Sequence, residues 1–409
     1  MSERRPDDGQ RRALTHVGGQ VTYQGPTALE STVRAALSVS GDEASVRKHV
    51  HAFHSYPARL HPQTAEHLIA GLTQPGDTVF DPFCGSGTVL LEAILQGRAA
   101  VGTDLNPLSV ALTNLKTRGP KTAERAHWLE TAEQVAEFAV ERRMDKAPPL
   151  KRYPAQERQL FDPHMLLELD SLSAGVAQVE ANRTQAALRL VLSSIVTKVS
   201  RRPGDSSGKV VPKRLAGGFA IRMFVARTRE LCAQFDELER LLPAPPKSQA
   251  FEADARELKP IKPKSVDLIV CSPPYPGVYD YYEHHRVRLG FAGLSAGRFQ
   301  QGEIGSRRQL TALAGAAARA TWEKDLTQVL AACAKVLKPG KLMCCVLGDV
   351  ALPGVTVRGD VSVKSIAGRA GMEVVAVGSQ ERPVFHRNTE EGYQQRSRAE
   401  HLVVLRRSA

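Results

Sequence analysis

The sequence predicts a doubly wound α/β protein: a mostly parallel sheet with helices on both faces and a helical insertion in its middle. Three observations carry this. A β-α-β-α run with a glycine-rich first turn occupies residues 78–117, further apolar strand-like runs alternate with helical stretches after residue 265, and the intervening region reads as helices. With 409 residues and 42% hydrophobic content, the chain has ample material for a core of that size.

In order along the chain, residues 1–45 are polar and rich in Arg, Gly, Ser and Thr; only "TVRAALSV" looks helical, so a flexible arm is expected. From residue 46, "HAFHSYPARLHPQTAEHLIAGL" sets Leu60, Ala65, Leu68, Ile69 and Leu72 at helical spacing after Pro62, a favoured first-turn residue. "TVF" is then a buried strand, "DPFCGSG" a loop, "TVLLEAILQG" a helix closed by Gly97, and "AAVGTDL" a second strand followed by a helix. These make 46–119 the first half of the sheet domain. Residues 120–250 read as an insertion of four helices, "AERAHWLETAEQVAEFAVERR", "FDPHMLLELDSLSAGVAQVE", "QAALRLVLSSIVTKVS" and "FAIRMFVARTRELCAQFDELERLL", with Asp162 before Pro163 as the expected cap of the second. Proline-rich linkers occur at "KAPPLKRYP" and "LPAPPKS". Residues 251–409 complete the sheet domain through "VDLIVCS", "KLMCCVL", "MEVVAVG" and "HLVVLRR", separated by helices such as "TWEKDLTQVLAACAKVLKPG" and "VSVKSIAGRAG".

Charge and cysteine usage narrow the function. Lys plus Arg number 55 against 43 Asp plus Glu, a formal net charge of +12 that favours a polyanionic partner. The six cysteines, Cys84, Cys232, Cys271, Cys333, Cys344 and Cys345, include no CxxC pair and no companion histidines at zinc spacing, so no disulfide framework and no metal site are expected. No apolar run approaches the roughly 18 residues of a membrane span, and "MSERRPDDGQRR" lacks the apolar core of a signal peptide; a cytoplasmic protein without membrane contact is expected.

In "FDPFCGSGT", Gly85 and Gly87 flank Ser86 at a strand-to-helix turn, where a missing Cβ lets a polar ligand lie against backbone N–H groups. The loop is shorter than GxGxxG and lacks the GK[ST] of a phosphate-gripping loop, which disfavours ATP. Asp104, at the tip of the next strand, can accept both hydroxyl hydrogens of a ribose; the competing reading is a cap for "PLSVALTNL". Asp254 in "FEADARELK" can accept from the exocyclic amine of an adenine ring, or is an exposed turn acid.

The combination of "DPFCGSGT", "GTDLNP" and "SPPY" resembles the S-adenosylmethionine-dependent amino methyltransferases of DNA, and the serine form of the last motif resembles their cytosine-N4 branch. The likeness covers about 50–117 and 250–406. It implies a Rossmann-like class I methyltransferase fold, S-adenosyl-L-methionine as cofactor, and double-stranded DNA with a flipped cytosine as partner, in a restriction-modification setting. Carried over residue by residue, it places Asp81, Pro82, Phe83, Cys84, Gly85, Ser86, Gly87 and Thr88 on the cofactor loop, Asp104 and Leu105 at the ribose, and Asp254 and Ala255 at the adenine. "FHSYPARLHP" resembles the segment closing over the methionine end, which adds His54, Ser55, Tyr56 and Pro57. Many relatives of the serine type run their motifs in the opposite order, so the location of the target-recognition segment stays open.

Methylating an exocyclic amine needs no covalent enzyme intermediate, only a nitrogen held in line with the methyl and drawn out of conjugation by acceptors for its hydrogens. In "CSPPY" the expected acceptors are the Ser272 hydroxyl and the Pro273 carbonyl, with Pro273 and Pro274 fixing their geometry and Tyr275 offering a face to an extruded base. Cys271 precedes Ser-Pro-Pro and ends an apolar strand, so it reads as core rather than as a nucleophile. Between Lys198 and Arg229, the bases Lys198, Arg201, Arg202, Lys209, Lys213, Arg214, Arg222, Arg227 and Arg229 face the single acid Asp205 before Glu230, a density suited to phosphate contact. Tyr281 and Arg286, on the helix after "SPPY", are further candidates for DNA contact, as are Arg307 and Arg308. Two alternatives stay open: the same fold acting on adenine N6 of DNA or a guanine amine of tRNA, and a catalytically inactive nucleic-acid-binding module.

Overall fold

A computed structural model describes residues 19–39, 46, 48–180, 182–202, 211, 213–382, 392–393 and 397–408. Lys209 and Asp205 lie outside them. The strands are β1 (Val21–Gln24), β2 (Thr78–Asp81), β3 (Ala99–Asp104), β4 (Ser248–Glu252), β5 (Val266–Cys271), β6 (Leu337–Gly348), β7 (Val350–Leu352), β8 (Val355–Val357), β9 (Met372–Glu381) and β10 (Ala399–Arg407). Eight of them form one sheet in the order β1-β9-β10-β6-β5-β2-β3-β4, and β7 and β8 form a separate hairpin. The pairs β2–β3, β2–β5, β3–β4 and β5–β6 are parallel, whereas β10 runs antiparallel to β6 and β9, and β1 antiparallel to β9. This is a Rossmann-like, doubly wound sheet.

Helices cover both faces because the central strands have no polar face to offer. All six residues of β5 are buried, as expected for a parallel strand sandwiched between helix layers. Side chains alternate: Val79, Leu268, Val270, Cys344 and Val346 point into one core, while Phe80, Ile269, Cys271, Met343 and Cys345 point into the other. The first core is filled by α1 (Thr27–Leu37), α2 (Pro62–Leu72), α3 (Thr88–Leu95), α4 (Pro107–Thr117), α5 (Thr122–Met144), α7 (Pro163–Gln178), α8 (Arg183–Val199), α9 (Phe219–Leu241) and α10 (Tyr281–Ala292), with the short α6 (Ala155–Leu160) at its margin. The second is filled by α12 (Arg307–Thr311), α13 (Gly315–Val336) and α14 (Gly359–Ala367), and α11 (Gly297–Gly302) leads into α12.

Three expectations change. Within the expected arm, β1 pairs with β9 from Val21 opposite Gln380 to Gln24 opposite Val377, and Val33, Ala36 and Leu37 of α1 are buried. A four-residue edge strand with one buried side chain has little pattern of its own; pairing makes it a strand. The insertion boundary at 250 falls inside β4, the opposite edge. Asp162 makes no capping bond to α7, because its carboxylate pairs with Arg201 instead.

The insertion also shares its core with the sheet: Trp128, Leu169, Leu188 and Phe224 belong to the same buried cluster as Val79 and Leu268. Calorimetric unfolding should therefore show one cooperative transition for helices and sheet together. A separate transition for residues 120–250 would contradict this.

Candidate active site

The site begins where β2 ends. Gly85 (φ 50°) and Gly87 (φ 85°) both take left-handed conformations, and Gly87 leads into α3. A Cβ on Gly87 would lie 2.9 Å from Thr113 Oγ1 and 3.1 Å from Thr113 Cα, so the close approach of α4 requires glycine there. From the tip of β3, Asp104 Oδ2 accepts from Gly85 N at 2.9 Å and its Oδ1 from Asn106 N at 2.8 Å. Asn106, not Asp104, caps α4 by accepting from Leu108 N at 3.1 Å. Burial pushes the Asp104 carboxyl up to about 6, against the pull of those N–H groups. From beneath, the fully buried Lys116 donates to Ser86 O at 2.9 Å, and burial draws its ammonium well below the usual lysine range.

A cavity open to solvent lies above this loop. It brings together Tyr56, Asp81, Pro82, Phe83, Cys84, Gly85, Ser86, Thr88, Asp104, Leu105, Asp254 and Ala255 with Ser272, Pro274 and Tyr281. Loop and "SPPY" motif thus share one chamber, as open α/β sheets place ligands beyond their carboxyl strand ends. The Tyr56 ring lies over Gly85, where a Cβ would come within 3.4 Å of its Cε1, and its hydroxyl pairs with Ser109 Oγ at 2.7 Å. The buried Ser86 hydroxyl has no partner among the described residues, which marks a place for a polar ligand.

Other candidates do different work. His54 is 1% exposed and meets Ser193 Oγ at 3.2 Å and Arg288 Nη1 at 2.9 Å, while Arg288 also donates to Ser55 O and Oγ at 2.8 and 2.7 Å. His54 and Ser55 therefore anchor the segment that presents Tyr56, and neither they nor Pro57 lines the cavity. Asp254 does line it, yet both its oxygens accept from Arg256, whose Nη2 lies 2.7 Å from Oδ2 and also donates to Gly302 O at 3.1 Å. Burial raises that carboxyl, but Arg256 outweighs it and holds Asp254 below the usual range.

In the "SPPY" motif only Ser272 and Pro274 face the cavity. The Pro274 carbonyl is taken by Trp322 Nε1 at 3.0 Å. Tyr275 turns away from the chamber: its ring lies against Gly348, where a Cβ would come within 3.1 Å, and its hydroxyl points at Glu400 Oε1, 3.4 Å away. The tyrosines that do line the chamber are Tyr56 and Tyr281. Tyr281 N donates to Glu303 Oε1 at 2.5 Å, a buried carboxyl pushed up to about 7 by desolvation. Cys271 is fully buried, 3.7 Å from Cys345 Sγ.

The basic candidates divide. Arg201 pairs with Asp162, Arg286 with Glu157 at 3.2 Å, and Arg229 with Glu133 at 3.4 Å. Arg227 is 7% exposed and donates to the carbonyls of Ala52 and Phe53, so it is a structural tie. Lys213 and Arg214 are exposed, Lys213 donating to Lys198 O, and Arg202 lines a second cleft. Reading the sequence missed Arg59, Leu60, Phe299, Glu303 and Ile304 on the cavity wall, as well as Lys116 and Trp322. It also missed the buried group Asp349, Asp360 and His401, whose side chains converge; Asp360 is paired with Arg358 and Lys364, and Asp349 accepts from Gly359 N and Ala399 N.

Comparison with known proteins points to the same loop. The sequence model of a family described as DNA methylase matches residues 35–114, which contain Tyr56, the glycine loop and Asp104. The type II methyltransferase M.MjaII of Methanocaldococcus jannaschii is 35% identical over 69 residues, covering 17% of this chain and 13% of its own. M.MvaI of Kocuria varians is 41% identical over 70 residues (16% and 15%), and M.BsoBI of Geobacillus stearothermophilus 23% over 303 residues (63% and 56%). The chain thus spans from 13% to 56% of the length of these relatives. Among solved structures, a geranyl diphosphate methyltransferase in complex with SAM aligns with a TM-score of 0.36 at 10% identity, covering 88% of this chain and 96% of that one. A SAM-dependent methyltransferase from Methanosarcina mazei aligns at 0.34 and 11% identity (83% and 97%). No helix among the described residues is long and apolar enough to cross a membrane.

The buried carboxyls give a pH test. Burial pushes Asp81 from 3.8 to about 8, with the Phe83 N–H opposing and Asp104 adding. A carboxyl whose folded value lies above its unfolded one stabilises the fold when protonated, and that stability is lost as pH rises through the folded value. Asp81→Asn should therefore gain on the wild type in thermal stability as pH rises from about 4 to 8. A stability difference that stays flat across this window would contradict the burial argument.

Proposed function

We propose that the protein is a DNA methyltransferase that uses S-adenosyl-L-methionine to methylate the exocyclic N4 amine of a flipped cytosine. The observation that carries this reading is the shared chamber: one cavity wall is the glycine loop with Asp104, another is Ser272 and Pro274. The DNA methylase match over residues 35–114 supports nucleic acid as the substrate, and the type II relatives support a restriction-modification role.

The residues present fit the cofactor. A carboxylate has about four lone-pair sites, and Asp104 spends two on Gly85 and Asn106, which leaves acceptors for a ribose. The unpartnered Ser86 hydroxyl and the Tyr56 ring fit the polar and methionine parts. Asp254 has its oxygens engaged by Arg256, so on this reading the adenine side is held chiefly by the apolar walls of Leu105 and Ala255.

When bound, the cofactor supplies an electrophilic sulfonium methyl group. The chain's part is to hold the amine and the shape of the chamber. Ser272 faces the chamber, where its oxygen lone pairs accept an amine hydrogen and free the nitrogen from conjugation. Tyr275 is itself fixed by Glu400, which Arg382 grips at 2.7 and 3.1 Å. Trp322 holds the Pro274 carbonyl and so the turn, and Tyr281 takes the stacking role that the sequence suggested for Tyr275.

Incubation with DNA and cofactor, followed by nucleoside digestion, should yield N4-methylcytosine. Finding only N6-methyladenine would overturn the choice of base, and modification of tRNA alone would overturn DNA as substrate. Ser272→Ala should lower turnover on the order of a hundredfold at unchanged cofactor affinity, by misplacing the amine. An equal loss of both would contradict the role given to Ser272.

A further inference from the structure

A second, small cleft, open to solvent, lies between the end of α8 and the middle of α10. Its polar wall carries Thr197, Ser200, Arg202, His284 and Arg288, and among the described residues no carboxylate lines it. The two guanidinium groups differ in what they already do. Arg288 is 1% exposed and spends its donors on Thr197 Oγ1, at 3.0 and 2.8 Å, and on the His54–Ser55 segment. The Arg202 backbone N donates to Ser200 Oγ at 3.2 Å, and its buried Nε has no hydrogen-bond partner among the described residues. A buried charged donor without an acceptor is costly, and no described residue of the lining can supply the missing oxygen as an anion.

Its position suggests the source of that oxygen. Val287 of this cleft and Tyr281 of the main chamber lie on one helix, six residues apart, so about 9 Å separate them along its axis. A nucleic-acid strand carries a phosphate on every nucleotide, so that offset is within reach of a few nucleotides from the main chamber. The planar fork of arginine suits phosphate oxygens.

We propose that this cleft seats a backbone phosphate of the nucleic acid, a few steps from the base held in the main chamber, with Arg202 as its direct ligand and Arg288 as a fixed neighbouring charge. This rests on the reading of the protein as a nucleic-acid methyltransferase.

The test measures duplex affinity against salt concentration for the wild type, Arg202→Gln and Arg202→Lys, with thermal unfolding as a check on folding. Arg202→Gln should reduce the slope of log affinity against log salt by about one, equally for all sequences, and Arg202→Lys should restore most of it. Single methylphosphonate substitutions along the duplex should then weaken the wild type at one position to which Arg202→Gln is indifferent. Equal slopes, or equal sensitivity of both proteins at every position, would overturn the proposal while leaving the methyltransferase reading intact. A wild type that binds no duplex would count against that reading; if inorganic phosphate then stabilised the wild type but not Arg202→Gln, the cleft would be a free-phosphate site and the backbone assignment would fall.

Discussion

The grip of Asp104 on the Gly85 amide is the contact on which the rest of the site depends. It joins the tips of two adjacent parallel strands, β2 and β3, beside the bond from Cys84 N to Thr103 O at 2.9 Å, and the loop closes on itself through Gly87 N to Cys84 O at 2.7 Å. Gly85 and Gly87 can take the left-handed conformations that the loop needs, and Lys116 fixes the Ser86 carbonyl from below. Burying a carboxylate and a lysine this way opposes their charged forms, raising the Asp104 carboxyl and lowering the Lys116 ammonium. The fold tolerates that cost where it sets the shape of a binding surface.

The second wall depends on α10 as much as on the motif before it. Glu303 holds the first amide of that helix, His285 meets Asn106 at 3.0 Å beside the glycine loop, and Arg288 reaches the His54–Ser55 segment. One helix therefore registers "SPPY", the loop after β3 and the entry segment against each other. The insertion is part of this frame: Arg227 of α9 ties down the carbonyls of Ala52 and Phe53, and Ser193 of α8 meets His54. A region that looked like an appendage is a support for the chamber.

What the sequence revealed and what it hid follow from the range of the interactions. Central strands were legible because burial on both faces makes them apolar throughout, as in "VDLIVC"; the edge strands β1 and β4 have no such pattern and depend on pairing with distant residues. The place of Ser272 on the chamber wall was legible because a double proline announces a stiff turn at the end of a strand. The direction of Tyr275 was not, since it is decided by Gly348 and Glu400, more than seventy residues on in the chain. For the same reason a run of bases read as a phosphate surface is split by Asp162, Glu133 and the carbonyls of Ala52 and Phe53 into structural ties and exposed charges.

The account stands on the glycine loop being built for the cofactor. Calorimetric titration with S-adenosylmethionine tests this directly, comparing the wild type with Gly85→Val, which adds a branched Cβ at φ 50° beneath the Tyr56 ring. The wild type should bind one equivalent per chain, and the folded variant should lose at least tenfold in affinity, as expected when backbone can no longer approach the ligand. A folded wild type that gives no binding would contradict the account.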